Sequence, residues 1–147
     1  MIQTVLGEIS KEELGIVLPH EHILVGFIEN GKLTKDDYDS EEVIRVMLPY
    51  LQELAAAGCS TLVECTPEFL GRDPQLLAEL SRLSGLHIIT NTGYYQSPYL
   101  APFVYNMNPE DLAGIWIKEA LEGIGGSGIK PGFIKIALSN KNGRISP

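Results

Sequence analysis

The run Gly15-Ile-Val-Leu-Pro-His-Glu-His-Ile23 closes a short apolar segment with two histidines, His20 and His22. Side chains of a β-strand alternate between the two faces of a sheet, so residues two positions apart point the same way. If this segment is a strand, the two imidazoles stand side by side at its end. Neutral imidazole nitrogens are common metal ligands, so the pair predicts half of a metal site.

Composition limits the classes of protein to which the chain can belong. Its 147 residues fit one domain, and 44% hydrophobic residues are enough for a packed core. A net charge of −8 argues against a nucleic-acid or membrane partner, because such surfaces need clustered lysine and arginine. The first residues lack the pattern of a secretory signal, so we expect a cytoplasmic protein in which Cys59 and Cys65 are reduced.

Strand and helix patterns alternate along the chain. Apolar and β-branched runs predict strands at Gln3–Leu6, Ile16–Leu18, Ser60–Thr66, His87–Thr92 and Gly132–Leu138. Capping signals predict helices that begin at Asp39-Ser40, Asp73-Pro74 and Asn108-Pro109 and end at Gly58, Gly85 and Gly123. Short connections indicate parallel βαβ units, which suit either an open doubly wound sheet or part of a (β/α)8 barrel.

Three further segments have local interpretations. Pro49 lies inside the first helical pattern and predicts a kink or a later helix start. The segments Glu29–Asp39 and Asn140–Arg144 are polar or contain turn residues, and we interpret both as loops.

Lys135 lies between apolar neighbours inside the fourth βα strand, Gly132–Leu138. A buried ammonium group needs a partner or must lose its charge. One interpretation is that Lys135 reaches the rim of the sheet or pairs with an acid such as Glu64. The other is that its amine reacts with carbon dioxide to form a carbamate, whose two oxygens can bridge two metal ions. Active sites of parallel βα proteins collect at the C-terminal strand ends, where His20 and His22 lie.

Several segments, in this order and spacing, resemble the phosphotriesterase-like family of the amidohydrolase superfamily over essentially the whole chain. They are Thr4–Gly7, Glu13–Gly15, Leu18–Ile23, Gly58–Thr66, Leu70–Asp73, Asn91–Tyr95 and Gly132–Ala137. The resemblance implies an α/β fold of the (β/α)8 TIM-barrel type found in metal-dependent hydrolases. Residues 1–147 would form the N-terminal half of a single barrel domain and cover about its first four strands.

The same resemblance implies a site for two divalent metal ions, commonly zinc. His20 and His22 would bind one ion, and carbamylated Lys135 would bridge the pair. A hydroxide between the ions would attack a carbonyl or phosphoryl centre. Tyr95 matches a position where an aromatic side chain binds substrate, although ordinary packing explains it equally well. We expect a small lactone or carboxylic ester as substrate ahead of a phosphotriester, and a homodimer when the protein is intact.

The chain departs from the family pattern in two ways. Pro19 replaces the usual threonine or serine and cannot donate to a sheet ladder. The family completes its site with two later histidines and an aspartate, whereas no histidine or acid follows Lys135 here. A barrel needs about 200–250 residues, so we expect the sequence to be a fragment, a truncated form or a split gene product.

Two alternatives to the hydrolase remain open. The first is a non-catalytic, degenerate or half-barrel protein that acts by association with a partner, since a half-barrel leaves strand edges unpaired. The second is a small nucleotide-binding domain, which fits less well. It would need a glycine-rich turn after its first strand, and the glycine-rich run at Gly123–Gly128 instead precedes a strand.

Other polar residues have structural explanations. Glu21 should face away from the imidazoles, as a packing partner or as a hydrogen-bond partner behind a ligand. A salt bridge to arginine or lysine is expected for Glu64. His87 opens the third βα strand, far from the site, and Cys65 has no nearby base that would make it a nucleophile.

Overall fold

The computed structural model describes residues 1–28, 33–137, 140–141 and 144–145. In chain order its elements are β1 (Ile2–Thr4), β2 (Gly7–Ile9), β3 (Ile16–Glu21), α1 (Ser40–Ala56), β4 (Cys59–Glu64), α2 (Pro74–Ser84), β5 (His87–Ile89), β6 (Asn91–Thr92), α3 (Pro109–Glu122), β7 (Phe133–Ile134), β8 (Asn140–Lys141) and β9 (Arg144–Ile145). Short 3-10 helices lie at Lys11–Glu13, Pro102–Asn106 and Ile124–Gly126.

The parallel strands follow one another in chain order. β3 pairs with β4 and β4 with β5, while β6 pairs with β7, and every one of these pairings is parallel. Thr90 alone separates β5 from β6, so these two pieces form a single interrupted third strand. One helix lies between each pair of neighbouring strand positions, as the βαβ pattern predicts.

An antiparallel hairpin packs beside the start of this sheet. β1 pairs with β2, and the Val5 N–H donates to the Ile88 carbonyl at 2.8 Å. The Gln3 carbonyl lies so close to Gly132 that a Cβ there would approach it to 2.8 Å. The hairpin therefore contacts β5 and Gly132, the residue that precedes β7. Strand β2 was not among the predicted strands.

The predicted N-terminal caps are present at all three helices, whereas α1 ends at Ala56 with Ala57 as its C-terminal cap and not the predicted Gly58. The carboxylate of Asp39 accepts from the Glu41 N–H, and the Asn108 side chain accepts from the Asp111 N–H. Asp73 accepts from two N–H groups at the start of α2, which ends at Gly85 in a left-handed conformation with φ 78°. Each cap satisfies backbone donors that the first helical turn leaves free.

Some predicted boundaries were wrong. Helix α1 begins at Ser40 and continues through Pro49 to Ala56, so the proline does not delay its start. Its long stretch of apolar contacts with the core outweighs the hydrogen bond that proline removes. β3 extends beyond the predicted Leu18 as far as Glu21. In the predicted loop 140–144, β8 pairs with β9 as a short hairpin, and residues 29–32 of the other predicted loop lie outside the described residues.

The hydrophobic core lies between the sheet and helices α1 and α2. Its buried members are Val5, Ile23, Leu51, Cys59, Leu62, Leu76, Leu77, Ala78, Leu80, Leu86 and Ile88. Helix α2 buries six of its residues, whereas no residue of α3 is fully buried. The first part of the sheet is thus enclosed, while α3 is covered on one side.

Arg72 fastens α3 to the rest of the fold. Its guanidinium donates to both carboxylate oxygens of Glu119, at 2.9 and 3.0 Å, and to the Asn91 carbonyl at 2.9 Å. The Arg72 side chain is 2% exposed. This two-pronged contact joins α3 to the turn before α2 and to β6.

Candidate metal centre

Strand β3 contains one residue more than β4 at the position of the histidines. Leu18 lies opposite Leu62 and Glu21 opposite Glu64, so three steps along β3 match two along β4. Pro19 lies in this irregular stretch, where its missing N–H leaves a gap in the ladder. The extra residue reverses the alternation of side chains along the strand.

This bulge turns His20 and His22 away from the helices. Leu18 packs toward the core between sheet and helices, and the register places Glu21 on the same face. The neighbours of Glu21 therefore project from the opposite face, here called the inner face, where both imidazoles are exposed. A regular strand would have turned them toward the core with Leu18.

The two imidazoles form a close pair. Their ring centroids lie 5.3 Å apart, with an interplanar angle of 63°. Burial lowers the pKa of His22 below its ordinary value, and electrostatic interactions with His20 and Lys135 lower it further, against the opposing effect of Glu21. This lowered pKa favours the uncharged ring of His22, which is the form that binds metal.

Thr66 engages one nitrogen of His22. The Nδ1 atom of His22 lies 2.8 Å from the Thr66 hydroxyl, which in turn contacts the Glu64 carboxylate. Thr66 and Glu64 are both fully buried. Only Nε2 of His22 is left to meet a ligand from the inner face.

Lys135 is on the same inner face. Its N–H donates to the Thr92 carbonyl at 2.7 Å, so strand pairing continues one residue beyond β7. Ile134 and Ile136 are exposed, whereas Lys135 between them is half-buried, so its side chain projects from the opposite face. The charge of Lys135 lowers the pKa of His22, which places it near the histidine pair. The structure thus brings together the three residues predicted as metal ligands.

This donor set fits one part of a metal site. Two imidazoles and an amine that could form a carbamate are compatible with zinc or a similar divalent ion. Across the described ranges, no three side chains of histidine, cysteine, aspartate or glutamate gather closely enough to hold an ion by themselves. A closed site would need donors beyond these.

Tyr95 lies in an aromatic cluster after β6. Its ring centroid is 5.6 Å from that of Phe27 and 6.2 Å from that of Tyr99. Phe27 follows the histidine segment, so this cluster joins the loops that leave the first and third strand positions. The predicted substrate-binding role of Tyr95 stays a prediction.

The structure corrects one expectation among the other polar residues and agrees with three. Glu64 has hydroxyl and backbone N–H partners among the described contacts, instead of the expected salt bridge. Glu21 faces away from the imidazoles as expected. Burial raises the pKa of the Cys65 thiol, which disfavours a nucleophilic thiolate, and His87 begins β5 at the opposite end of the sheet.

Two residues near the centre were missed at the sequence level. Thr66 contacts His22, and the amide of Asn91 donates to the carbonyls of Glu64 and Thr66, both at 3.0 Å. Both residues belong to segments already quoted for the family resemblance. A polar residue at the end of a buried parallel strand was the available signal.

A model of the phosphotriesterase family matches residues 1–146. The chain belongs to the phosphotriesterase family. The family match covers every predicted ligand, and its boundaries agree with the resemblance seen in the sequence.

Similar proteins support the family and the barrel fold. The phosphotriesterase homology protein of Escherichia coli is 28% identical over 141 residues, which are 94% of this chain and 46% of that protein. An N-acetyltaurine hydrolase of Salmo salar is 31% identical over 90% of this chain and 46% of that protein. The structure of a mutant phosphotriesterase-like lactonase from Deinococcus radiodurans gives a TM-score of 0.85 at 30% identity, over 100% of this chain and 47% of that one.

These comparisons confirm the predicted fold class, which is part of an α/β barrel and not a doubly wound sheet. The chain spans about half the length of the phosphotriesterase-family proteins named above. Within the described part of the chain, no helix combines the length and apolar character needed to cross a bilayer.

Proposed function

We propose that the intact protein is a metal-dependent hydrolase, and that residues 1–147 form the N-terminal half of its single barrel domain. The observation that supports this most strongly is the shared inner face of His20, His22 and Lys135. In this proposal the two imidazoles bind one divalent ion, zinc being the best match to nitrogen donors. The remaining ligands come from barrel strands outside this sequence.

Lys135 has a different task in this proposal. As a carbamate it would present two anionic oxygens on the inner face, one toward each of two ions. The Lys135 N–H donates to the Thr92 carbonyl at 2.7 Å, so the side chain of Lys135 extends from a strand whose backbone is held by pairing. When bound, the metal pair would polarise the target oxygen and lower the pKa of a water molecule.

We infer that the substrate is a small lactone or carboxylic ester, with phosphotriesters as secondary substrates. Relatives with lactonase and aryldialkylphosphatase names support this range. Tyr95, with Phe27 and Tyr99, would supply an apolar wall for the substrate beside the histidine loop. We further propose a cytoplasmic homodimer that contacts neither nucleic acid nor membrane.

A second candidate function is association without catalysis. The exposed apolar side chains of Ile134 and Ile136 at the last parallel strand favour it, because such an edge invites pairing with another chain. A metal-free intact protein with no hydrolase activity would favour this candidate over the hydrolase.

The first test is metal content and activity of the intact protein. Chelator treatment should abolish hydrolysis of a lactone, an aryl ester and a phosphotriester, and Zn²⁺ should restore it. His20→Ala and His22→Ala should each lower zinc affinity more than about 100-fold, since loss of a direct ligand exceeds the 10–100-fold effect of losing a group behind a ligand. Competition with a chromogenic chelator measures this affinity.

His87→Ala is the matched control for the histidine variants. It removes an imidazole from the opposite end of the sheet and should leave zinc affinity and activity unchanged. Equal effects of the three substitutions, or an intact protein that binds no divalent ion, would contradict the proposed centre.

Lys135 is tested by its chemical state. In ¹³C-bicarbonate the wild-type holoprotein should show a carbamate carbon resonance that disappears in Lys135→Ala. Lys130→Ala, in the segment before β7, should keep the resonance and the activity. An unmodified Lys135 in a metal-loaded and active protein would rule out the bridging role.

A further inference from the structure

A buried chain of hydrogen bonds lies behind His22. The Thr66 hydroxyl is 2.8 Å from His22 Nδ1 and also contacts Oε1 of Glu64. Glu64 is 1% exposed and Thr66 is 0% exposed. A carboxyl group in such a place normally has a partner of opposite charge, and here neutral donors take that position.

The donors around Glu64 determine which group donates in each hydrogen bond between Glu64, Thr66 and His22. The Thr66 N–H donates to Oε2 at 3.1 Å, and the Ile23 N–H lies 3.4 Å from Oε1. Burial raises the pKa of Glu64 to about 7, so at pH 8 the group is mainly ionised. An ionised carboxylate has no hydrogen to give, so the hydroxyl of Thr66 then donates to Oε1. Its oxygen is then an acceptor for His22, which places the proton of the neutral ring on Nδ1.

The end of β4 and the residues after it, which carry Glu64 and Thr66, are hydrogen-bonded to the strands on both sides. The Asn91 amide donates to the Glu64 and Thr66 carbonyls at 3.0 Å each, and the Cys65 N–H donates to the Glu21 carbonyl at 2.8 Å. The backbone that presents the threonine and glutamate is therefore held by both neighbouring strands. Neither side chain needs to reorganise to meet the imidazole.

We propose that Glu64 and Thr66 are positioning residues that hold His22 in the Nδ1–H tautomer and keep the lone pair of Nε2 available to a metal ion. The tautomer follows from the hydrogen-bond geometry around Thr66 at a pH where Glu64 is ionised. Only the identity of the ligand at Nε2 rests on the proposed function. A hydrogen bond to the second ring nitrogen commonly orients a ligating histidine, and here a threonine relays it from a buried acid.

Three substitutions separate this role from general packing. Thr66→Val keeps the shape but removes the acceptor, so His22 should change toward the Nε2–H tautomer that free imidazoles favour. Thr66→Ser retains the hydroxyl and should retain the Nδ1–H form. Glu64→Gln should reverse the direction of these hydrogen bonds. The amide oxygen of the glutamine would accept from the Thr66 N–H, and its NH₂ group would donate to the Thr66 hydroxyl. That hydroxyl would then donate to Nδ1.

The measurement is the long-range ¹H–¹⁵N spectrum of the histidine rings in the intact, metal-free protein at pH 8. The wild type and Thr66→Ser should show His22 protonated at Nδ1, whereas Glu64→Gln and Thr66→Val should show protonation at Nε2. His87, remote from the chain, should be unchanged in all four and serves as the internal reference. An Nε2–H ring in the wild type would overturn the proposal even if a variant failed to fold.

Zinc titration of the same proteins distinguishes the relay from the proposed function. Thr66→Val and Glu64→Gln should weaken zinc binding about 10- to 100-fold, and Thr66→Ser should stay near wild type. If Thr66→Val and Glu64→Gln both kept the wild-type tautomer of His22 and the wild-type zinc affinity, the relay would be overturned. A wild type that shows the Nδ1–H ring but binds no Zn²⁺ would support the relay and refute the metal-dependent hydrolase.

Discussion

At the residue scale, Gly93 shows how tightly the candidate metal centre is built. Its φ of 112° is unfavourable for any residue with a side chain, and a Cβ there would lie 2.0 Å from the Lys135 carbonyl oxygen. The backbone that presents Lys135 can approach the third strand position only because this residue is glycine.

Gly93→Ala should therefore lower the free energy of unfolding by more than about 2 kcal/mol, because the backbone conformation and the clash both add to its cost. Gly58→Ala is the matched control, since its φ is 99° and no atom lies within 4 Å of a Cβ there. That variant should lose only about 1–2 kcal/mol. Urea denaturation of the intact protein measures both, and equal losses would show that the close approach to Lys135 is unimportant.

At the element scale, Asp73 does more than cap α2. Its carboxylate accepts from two backbone N–H groups and from the Tyr38 hydroxyl at 2.7 Å, and Lys35 lies 3.1 Å away. Burial opposes its ionisation, but these hydrogen bonds and the lysine charge outweigh burial and hold the pKa of Asp73 below its ordinary value. One side chain thus links the start of α2 to the segment before α1.

Asp73→Ala should lower the free energy of unfolding by about 2 kcal/mol, the upper end for loss of a helix cap. Asp73→Asn keeps an oxygen acceptor and should cost less. Because the folded pKa lies below the unfolded one, the contribution of the charge is present above about pH 4 and is lost as the pH falls through the folded pKa.

Denaturation of the wild type and Asp73→Asn as a function of pH measures this difference, which should shrink toward zero in acid. Asp39→Ala, which removes an exposed cap with one N–H partner, should cost less than Asp73→Ala. A wild-type advantage over Asp73→Asn that stayed constant down to pH 2 would exclude the charge as its source.

At the scale of the whole molecule, the parallel sheet presents apolar side chains at its outer strand positions. Ile16 at the first position is 63% exposed, and Ile134 and Ile136 at the last are 58% and 55% exposed. A groove of 310 Å³ between α3 and β7 continues this apolar surface. In the related barrels, which are about twice as long, further barrel wall would cover such edges.

The 147-residue chain produced on its own should therefore self-associate, because unpaired strand edges pair with other chains. Size-exclusion chromatography with light scattering should show dimers or larger species at micromolar concentration. Replacing Ile134 and Ile136 by lysine should shift the distribution toward monomer, whereas lysine at the already exposed Val46 of α1 should change it less. A stable, well-folded monomer of the unchanged chain would contradict this expectation.

Much of the fold could be predicted from the sequence because its signals are local. The caps at Asp39, Asp73 and Asn108 act on N–H groups within three residues, and alternation of strands with helices indicates parallel pairing. Boundaries were less predictable where distant contacts compete with local preference. Helix α1 keeps Pro49 because packing against the core outweighs one lost hydrogen bond.

The sequence by itself determined the family, the alternation of parallel strands with helices, and the residues proposed as ligands, since these depend on residue type and spacing. Only the tertiary structure decided how those residues face one another. A bulge at Pro19 turns His20 and His22 to the inner face, and Thr66 reaches His22 from 44 residues away. No local pattern contains such information, because the register between strands and the contacts of a buried acid arise only when the sheet assembles.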